Sequence, residues 1–76
     1  MDSRKRPLKN PHRLIELGNK IRKLRVKKGI SQEGLADMAN IERSYMGAIE
    51  RGERNPSFDK LVSISNALEV QLSDLA

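Results

Sequence analysis

The sequence predicts an all-α fold of five short helices, and three observations support this prediction. Apolar residues recur every three or four positions along most of the chain, and no segment has the pattern of a strand. Residues that cap or stop helices separate these periodic segments. The 76 residues include no cysteine, so regular helix packing, rather than disulfides or thiolate metal sites, must stabilise a chain this small.

The first predicted helix runs from about residue 13 or 14 to residue 28. Its apolar positions are Leu14, Leu17, Ile21 and Leu24. Gly29 then stands where a helix C-cap needs the left-handed backbone conformation. Residues 1–13 hold five of the Lys and Arg residues together with two prolines, and they lack periodicity. They predict a flexible basic arm before a single domain over 14–76. The arm either follows phosphates or only adds solubility.

Two short helices joined by a tight turn are predicted next. Ser31 is a suitable N-cap for a helix over residues 32–39, and Asn40 can adopt the left-handed conformation that ends it. A helix over residues 43–51 follows and is stopped by Gly52. Its predicted outward-facing residues are Arg43, Ser44, Gly47, Ala48 and Arg51. A helix-turn-helix of this kind can present its second helix to the major groove of DNA.

Two further helices complete the prediction. The fourth helix opens at Pro56 or Ser57, and its predicted apolar stripe is Phe58, Leu61, Ile64 and Leu68. A fifth short helix starts near Gln71 or is capped at Ser73. Its apolar residues are Val70, Leu72 and Leu75. So short a helix cannot bury three such side chains against the fourth helix alone, so we expect part of this surface to form a homodimer interface.

The charge is distributed unevenly along the chain. The net charge of +5 combines a basic first part with an acidic second part. Residues 1–30 hold eleven Lys and Arg against two acidic residues, whereas residues 31–76 hold four against eight. A basic half of this kind favours a polyanionic partner. Together with the predicted helix-turn-helix, it favours double-stranded DNA.

Other classes of function find little support in the sequence. Apolar runs are at most two or three residues long, too short for a membrane span or a signal-peptide core, which favours a cytoplasmic, nucleoid-associated location. The single histidine, His12, lies beside Pro11 in the predicted arm, and no nucleophile–base pair is evident. We therefore expect a protein that is not an enzyme and that uses no metal or cofactor.

These segments together resemble the helix-turn-helix domains of the phage lambda and 434 repressors and Cro, the xenobiotic-response-element family. The resemblance covers about Leu17–Leu75 and rests on four motifs. They are L-x-x-x-I-R-K-L-R at 17–25, G-I-S-Q-E-x-L-A at 29–36, S-Y-M-x-x-I-E-R-G at 44–52 and L-E-V-Q-L-S-D-L at 68–75. Residues 43–55 are especially similar to the controller proteins of restriction–modification systems, which are small stand-alone dimers. The resemblance implies a lambda-repressor-like fold.

Base contacts are expected at the start of the recognition helix. Arg43 can bond bidentately to guanine O6 and N7, and Ser44 can bond to several bases, although a solvated helix end is the alternative for Arg43. The resemblance adds Ala48 as a base-contacting position, and in controller-like members the position of Arg54 also reaches a base. Glu42 replaces the more usual Ser or Thr cap, and its carboxylate could accept from a cytosine amino group.

Phosphate contacts are expected around the recognition helix. The expected residues are Gln32, Tyr45, Arg25, Arg51, Asn55 and Lys60. The resemblance assigns a bracing role to Gln32, whereas Tyr45 could instead pack against the fourth helix or a partner. The loop at Arg54 and Asn55 could also be an ordinary polar turn. The resemblance places Arg25 with Glu50 as an ion pair beneath the recognition helix, and an Arg fork suits a carboxylate geometrically.

The sequence thus predicts a sequence-specific DNA-binding transcription regulator, either a repressor or an autoregulatory controller. It would bind a near-palindromic operator as a homodimer, and a contact with RNA polymerase is a further expectation. The alternative is an antitoxin that binds a protein toxin and its own operator. The chain could also be the DNA-binding part of a longer polypeptide.

Overall fold

Four α-helices and one 3-10 turn form the computed structural model, which describes residues 11–75. The helices are α1 (Pro11–Lys27), α2 (Gln32–Ala39), α3 (Arg43–Glu50) and α4 (Phe58–Leu68). The all-α prediction is confirmed, but the predicted fifth helix is wrong, because Leu72–Asp74 forms only a 3-10 turn. Its backbone hydrogen bonds span three residues, and the Gln71 N–H donates to the Asp74 carboxylate at 2.9 Å, which closes the turn.

Helix α1 begins two residues before the predicted boundary. Pro11 occupies its first position, where the fixed φ of proline suits a helix and its missing N–H costs nothing. One turn apart on this helix, His12 Nε2 lies 3.1 Å from Glu16 Oε2. The predicted arm therefore cannot extend to residue 13, and its remainder, residues 1–10, lies outside the described residues. Gly29 has a φ of +72°, as its predicted C-cap role requires.

The two helices of the predicted motif have the predicted local signals. The Ser31 hydroxyl accepts from the Gly34 N–H at 2.9 Å, and Asn40 ends α2 in the left-handed conformation at φ 58°. Helix α3 ends one residue earlier than predicted, with Arg51 as its C-cap and Gly52 at φ +78°. The turn at Asn40 thus sets the direction in which α3 leaves α2.

All four helices contribute to one core. Its fully buried large side chains are Ile21, Leu35, Met46, Ile49, Ile64 and Leu68. Phe58, which was predicted in the apolar stripe of α4, lies outside the core and is 67% exposed, and Met38 of α2 is 57% exposed. Phe58 is the first residue of α4, at the tip of the helix, whereas Met38 lies off the stripe by which α2 faces the core.

The C-terminal turn also packs on this core. Leu75 is only 3% exposed, so its side chain belongs to the core of its own chain. Leu75 therefore has little surface left for a dimer interface, and its predicted role there has no support from its position. Val70 and Leu72 are partly exposed, so each leaves some apolar surface available for a predicted dimer interface.

A glycine lies where α1 and α3 come closest. A Cβ added at Gly18 would lie 2.5 Å from the carbonyl oxygens of both Ile49 and Glu50. Contacts this short with backbone do not occur in real structures, so only glycine permits the two helices to approach in this way. The approach fixes the C-terminal half of α3, and with it the orientation of the whole helix.

Candidate nucleic-acid interface

The N-terminal tip of α3 presents polar side chains to solvent. Arg43 and Ser44 are exposed, as predicted, and each donates to a carboxylate. Arg43 Nη1 donates to Glu33 Oε2 at 2.8 Å, which joins α3 to the first turn of α2. Ser44 Oγ donates to Glu42 Oε1 at 3.0 Å. Glu42 occupies the N-cap position, but its side chain accepts no hydrogen bond from a helix amide. Its carboxylate instead accepts the hydrogen bond from the Ser44 hydroxyl.

The middle of α3 is partly covered by neighbouring side chains. Gly47 was predicted to face outward but is buried, and Ala48 is half-buried. A Cβ added at Gly47 would lie 3.2 Å from Gln32 Oε1 and 3.1 Å from Arg51 Nη1. The absence of a side chain at Gly47 therefore gives Gln32 and Arg51 room to lie across α3. These two polar groups thus form part of the surface that α3 presents.

A network of hydrogen bonds lies beneath this surface. Arg25 Nε and Nη2 donate to the two carboxylate oxygens of Glu50 at 2.7 and 3.0 Å, and Nη1 donates to the Ile30 carbonyl at 2.9 Å. Gln32 Nε2 donates to Glu50 Oε1 at 3.1 Å. The network therefore ties α1, α2 and α3 together and fixes the Gln32 amide. Bidentate contacts of this kind are geometrically demanding and hold both partners in place.

Burial gives Arg25 a structural role. The side chains of Arg25 and Glu50 are only 12% and 3% exposed. The hydrogen bond to Glu50 raises the pKa of Arg25, partial burial opposes the shift, and the charge of the carboxylate reinforces it. Since Nε, Nη1 and Nη2 all donate within the chain, the structure does not support the expected phosphate contact of Arg25.

A second group of cationic side chains surrounds Tyr45. The guanidinium carbon of Arg54 and the ammonium nitrogen of Lys60 each lie 5.5 Å from the centre of its ring. The ring itself packs against the core, so Tyr45 positions both cations while it contributes to packing. Asn55 is exposed in the same loop. The loop and α4 thus each place one positive charge beside the aromatic ring that α3 supplies.

Arg51 and Glu53 form a further exposed ion pair at the end of α3. Arg51 Nη2 lies 3.1 Å from Glu53 Oε1. The hydrogen bond to Glu53 and then the charge of this carboxylate raise the pKa of Arg51. Arg51 therefore has a solvent-exposed partner that another anion could replace.

The described residues form neither a metal site nor a membrane span. Over residues 11–75, no three His, Cys, Asp or Glu side chains are grouped so that they could hold a metal ion. None of the helices described here is long and apolar enough to cross a membrane.

Comparison with known proteins assigns the family. Residues 21–75 match the model of the HTH_3 helix-turn-helix family, to which the chain belongs. The chain is 48% identical over 59 residues to Control protein C.BamHI of Bacillus amyloliquefaciens, covering 76% of this chain and 73% of that protein. It is 44% identical over 62 residues to Control protein C.MunI of a Mycoplasma species, covering 80% and 84%.

A solved structure has the same fold. The restriction-modification controller protein C.AhdI from Aeromonas hydrophila superposes with a TM-score of 0.81 at 40% identity, covering 83% of this chain and 96% of that one. The predicted class, a DNA-binding helix-turn-helix transcription regulator similar to controller proteins, is thereby confirmed.

Three residues have structural roles that were not predicted from the sequence: Gly18, Gly47 and Glu33. Gly18 and Gly47 both lie inside helices, where glycine is unfavourable, and this cost is a signal that a close contact requires it. Glu33 gave no comparable signal. Its pairing with Arg43 depends on the angle between α2 and α3, which spacing along the chain does not reveal.

Proposed function

We propose that the protein regulates transcription by binding a near-palindromic operator as a homodimer. The observation that carries this proposal is the exposed tip of α3, where Arg43 and Ser44 are accessible to solvent. Further cations, Arg51 at the end of α3 and Arg54 and Lys60 beside Tyr45, suit phosphates of the DNA backbone. Occupying a promoter would repress it, and a contact with RNA polymerase would allow activation at a second site.

The proposed division of labour follows from the chemistry of these groups. Arg43 and Ser44 would contact base edges, with Ala48, Glu42 and Arg54 as further candidates. The expected phosphate contacts are Gln32, Tyr45, Arg51, Asn55 and Lys60. The basic residues of segment 1–10 would add further phosphate contacts. Since its proposed ligand is double-stranded DNA, the protein would act in the cytoplasm, at the nucleoid.

Arg43→Ala tests the assignment of specificity. We expect this variant to lose about 1–3 kcal/mol of discrimination, because a bidentate contact with guanine contributes about that much. The measurement is the affinity for a duplex selected from random DNA and for a scrambled duplex of the same composition, at one salt concentration. Equal losses on both duplexes would show that Arg43 contacts only phosphate.

Leu72→Asp tests the proposed dimer. Val70 and Leu72 are the partly exposed apolar residues of the C-terminal segment, and a charge at the interface should separate the protomers. We expect a folded monomer by sedimentation and circular dichroism, with much weaker operator binding. Val26→Asp on the exposed face of α1 is the matched control and should remain dimeric. A folded Leu72→Asp dimer with full affinity would place the interface elsewhere.

A further inference from the structure

The ion pair between Glu33 and Arg43 lies at the position where base contacts are proposed. The two side chains are 65% and 64% exposed, and Arg43 Nη1 meets Glu33 Oε2 at 2.8 Å. Glu33 belongs to the first turn of α2, where a negative charge also suits the helix dipole. The pair therefore spans the two helices of the motif at its outer edge.

This ion pair contributes little to folding. Exposed pairs typically contribute about 0–1 kcal/mol to stability, because water solvates both charges and the long side chains lose freedom. Its main consequence is instead positional. Arg43 has a long, flexible side chain, and the contact with Glu33 restricts where its guanidinium lies.

The contact leaves one edge of the guanidinium for a base. Glu33 engages Nη1, whereas guanine O6 and N7 can be met by the parallel N–H groups of Nε and Nη2. An arginine held at one corner can therefore still form the bidentate contact. Such an arginine loses less side-chain conformational freedom on binding a base than an arginine without this ion pair would lose.

The same carboxylate disfavours a competing contact. A phosphate that approached Arg43 would also approach the negative charge of Glu33, and Glu42 adds a second carboxylate at the tip of α3. Base edges carry no net charge, and the cytosine amino group is a donor. The negative charges of Glu33 and Glu42 thus repel a phosphate more strongly than they repel an uncharged base edge.

We propose that Glu33 is a positioning residue that directs Arg43 to a base edge and away from the phosphate backbone. The inference rests on the proposed function, since it concerns the same interface. It adds a specificity-determining residue that acts through Arg43.

Glu33→Gln is the test, and Glu53→Gln is its matched control. Both substitutions remove one negative charge from an exposed arginine–glutamate pair, but Glu53 pairs with Arg51, a proposed phosphate contact. Affinities for the selected and the scrambled duplex are measured as a function of salt for the wild-type chain and both variants. Circular dichroism checks that each variant is folded.

Glu33→Gln should lower the ratio of selected to scrambled affinity about fivefold or more, the amount lost with one bidentate base contact. Its binding to the scrambled duplex should tighten. The slope of log affinity against log salt there should steepen by about 0.9, as one phosphate contact is gained. Glu53→Gln should leave the ratio of selected to scrambled affinity unchanged. When Arg43 is already replaced by Ala, adding Glu33→Gln should no longer change the salt slope.

Two results would overturn the inference alone. One is a Glu33→Gln variant that keeps both the wild-type ratio and the wild-type slope. The other is an equal fall in the ratio for Glu53→Gln, which would reduce the effect to net charge. A wild-type chain that does not distinguish the two duplexes would instead overturn the proposed function, and this inference with it.

Discussion

Glu50→Ala is expected to lower the free energy of unfolding by about 3–5 kcal/mol, because it leaves the guanidinium of Arg25 largely buried without its carboxylate. The free energy of unfolding of a domain of this size is itself only about 5–10 kcal/mol. Gln32 loses its acceptor in the same variant, so the α2–α3 junction loosens as well. Urea unfolding followed by circular dichroism measures the loss.

The double variant Arg25→Met with Glu50→Leu provides the control. Replacing both members of a buried pair by apolar side chains of similar size often restores stability, because no charge then remains unpaired. We expect the double variant to be more stable than Glu50→Ala. A Glu50→Ala variant with the wild-type free energy of unfolding would show that the pair is not held as tightly as its 2.7 and 3.0 Å contacts indicate.

Gly18→Ala should also destabilise the protein, by about 1–3 kcal/mol or more. The added methyl group would meet two backbone carbonyl oxygens at 2.5 Å, and backbone cannot move aside as a flexible side chain can. Helices α1 and α3 must therefore separate. This cost exceeds the roughly 1 kcal/mol that alanine gains over glycine inside a helix. The midpoint of thermal unfolding should fall accordingly.

Gly34→Ala is the matched control for Gly18→Ala. Gly34 lies inside α2, and a Cβ added there would meet only side-chain atoms, Ser31 Oγ at 3.1 Å and Ile30 Cγ2 at 3.4 Å. The gain in helix propensity should offset that mild crowding, so the net change should stay within about 1 kcal/mol. Equal destabilisation by Gly18→Ala and Gly34→Ala would contradict the close approach of α1 and α3.

Local signals explain what the sequence could predict. Ser31 and Asn40 bound α2 because a side-chain hydroxyl and a left-handed residue act within a few positions of the chain. The lack of periodicity before residue 14 predicts that Pro11 belongs to the arm, yet proline suits the first position of a helix. The C-terminal segment contains helix-like apolar spacing, but its few residues close only a single 3-10 turn.

Contacts between helices explain what the sequence could not predict. Periodicity identifies the apolar face of α4, but not that Phe58 lies beyond the core at the tip of the helix. Likewise, the burial of Gly47 requires Gln32 and Arg51 to lie across α3. These features depend on distances and angles between elements far apart in sequence. The candidate base contacts at Arg43 and Ser44 stay predictions, although both side chains are exposed where such contacts need them.

Selection of bound duplexes from a pool of random DNA tests the central claim most directly, which is that α3 confers sequence-specific recognition. The account predicts enrichment of a near-palindromic motif whose two half-sites lie about one turn of DNA apart, roughly 10 base pairs, with a guanine at the position that depends on Arg43. Retention of DNA with no enriched motif after repeated rounds would contradict it, because the chain would then recognise only the phosphate backbone.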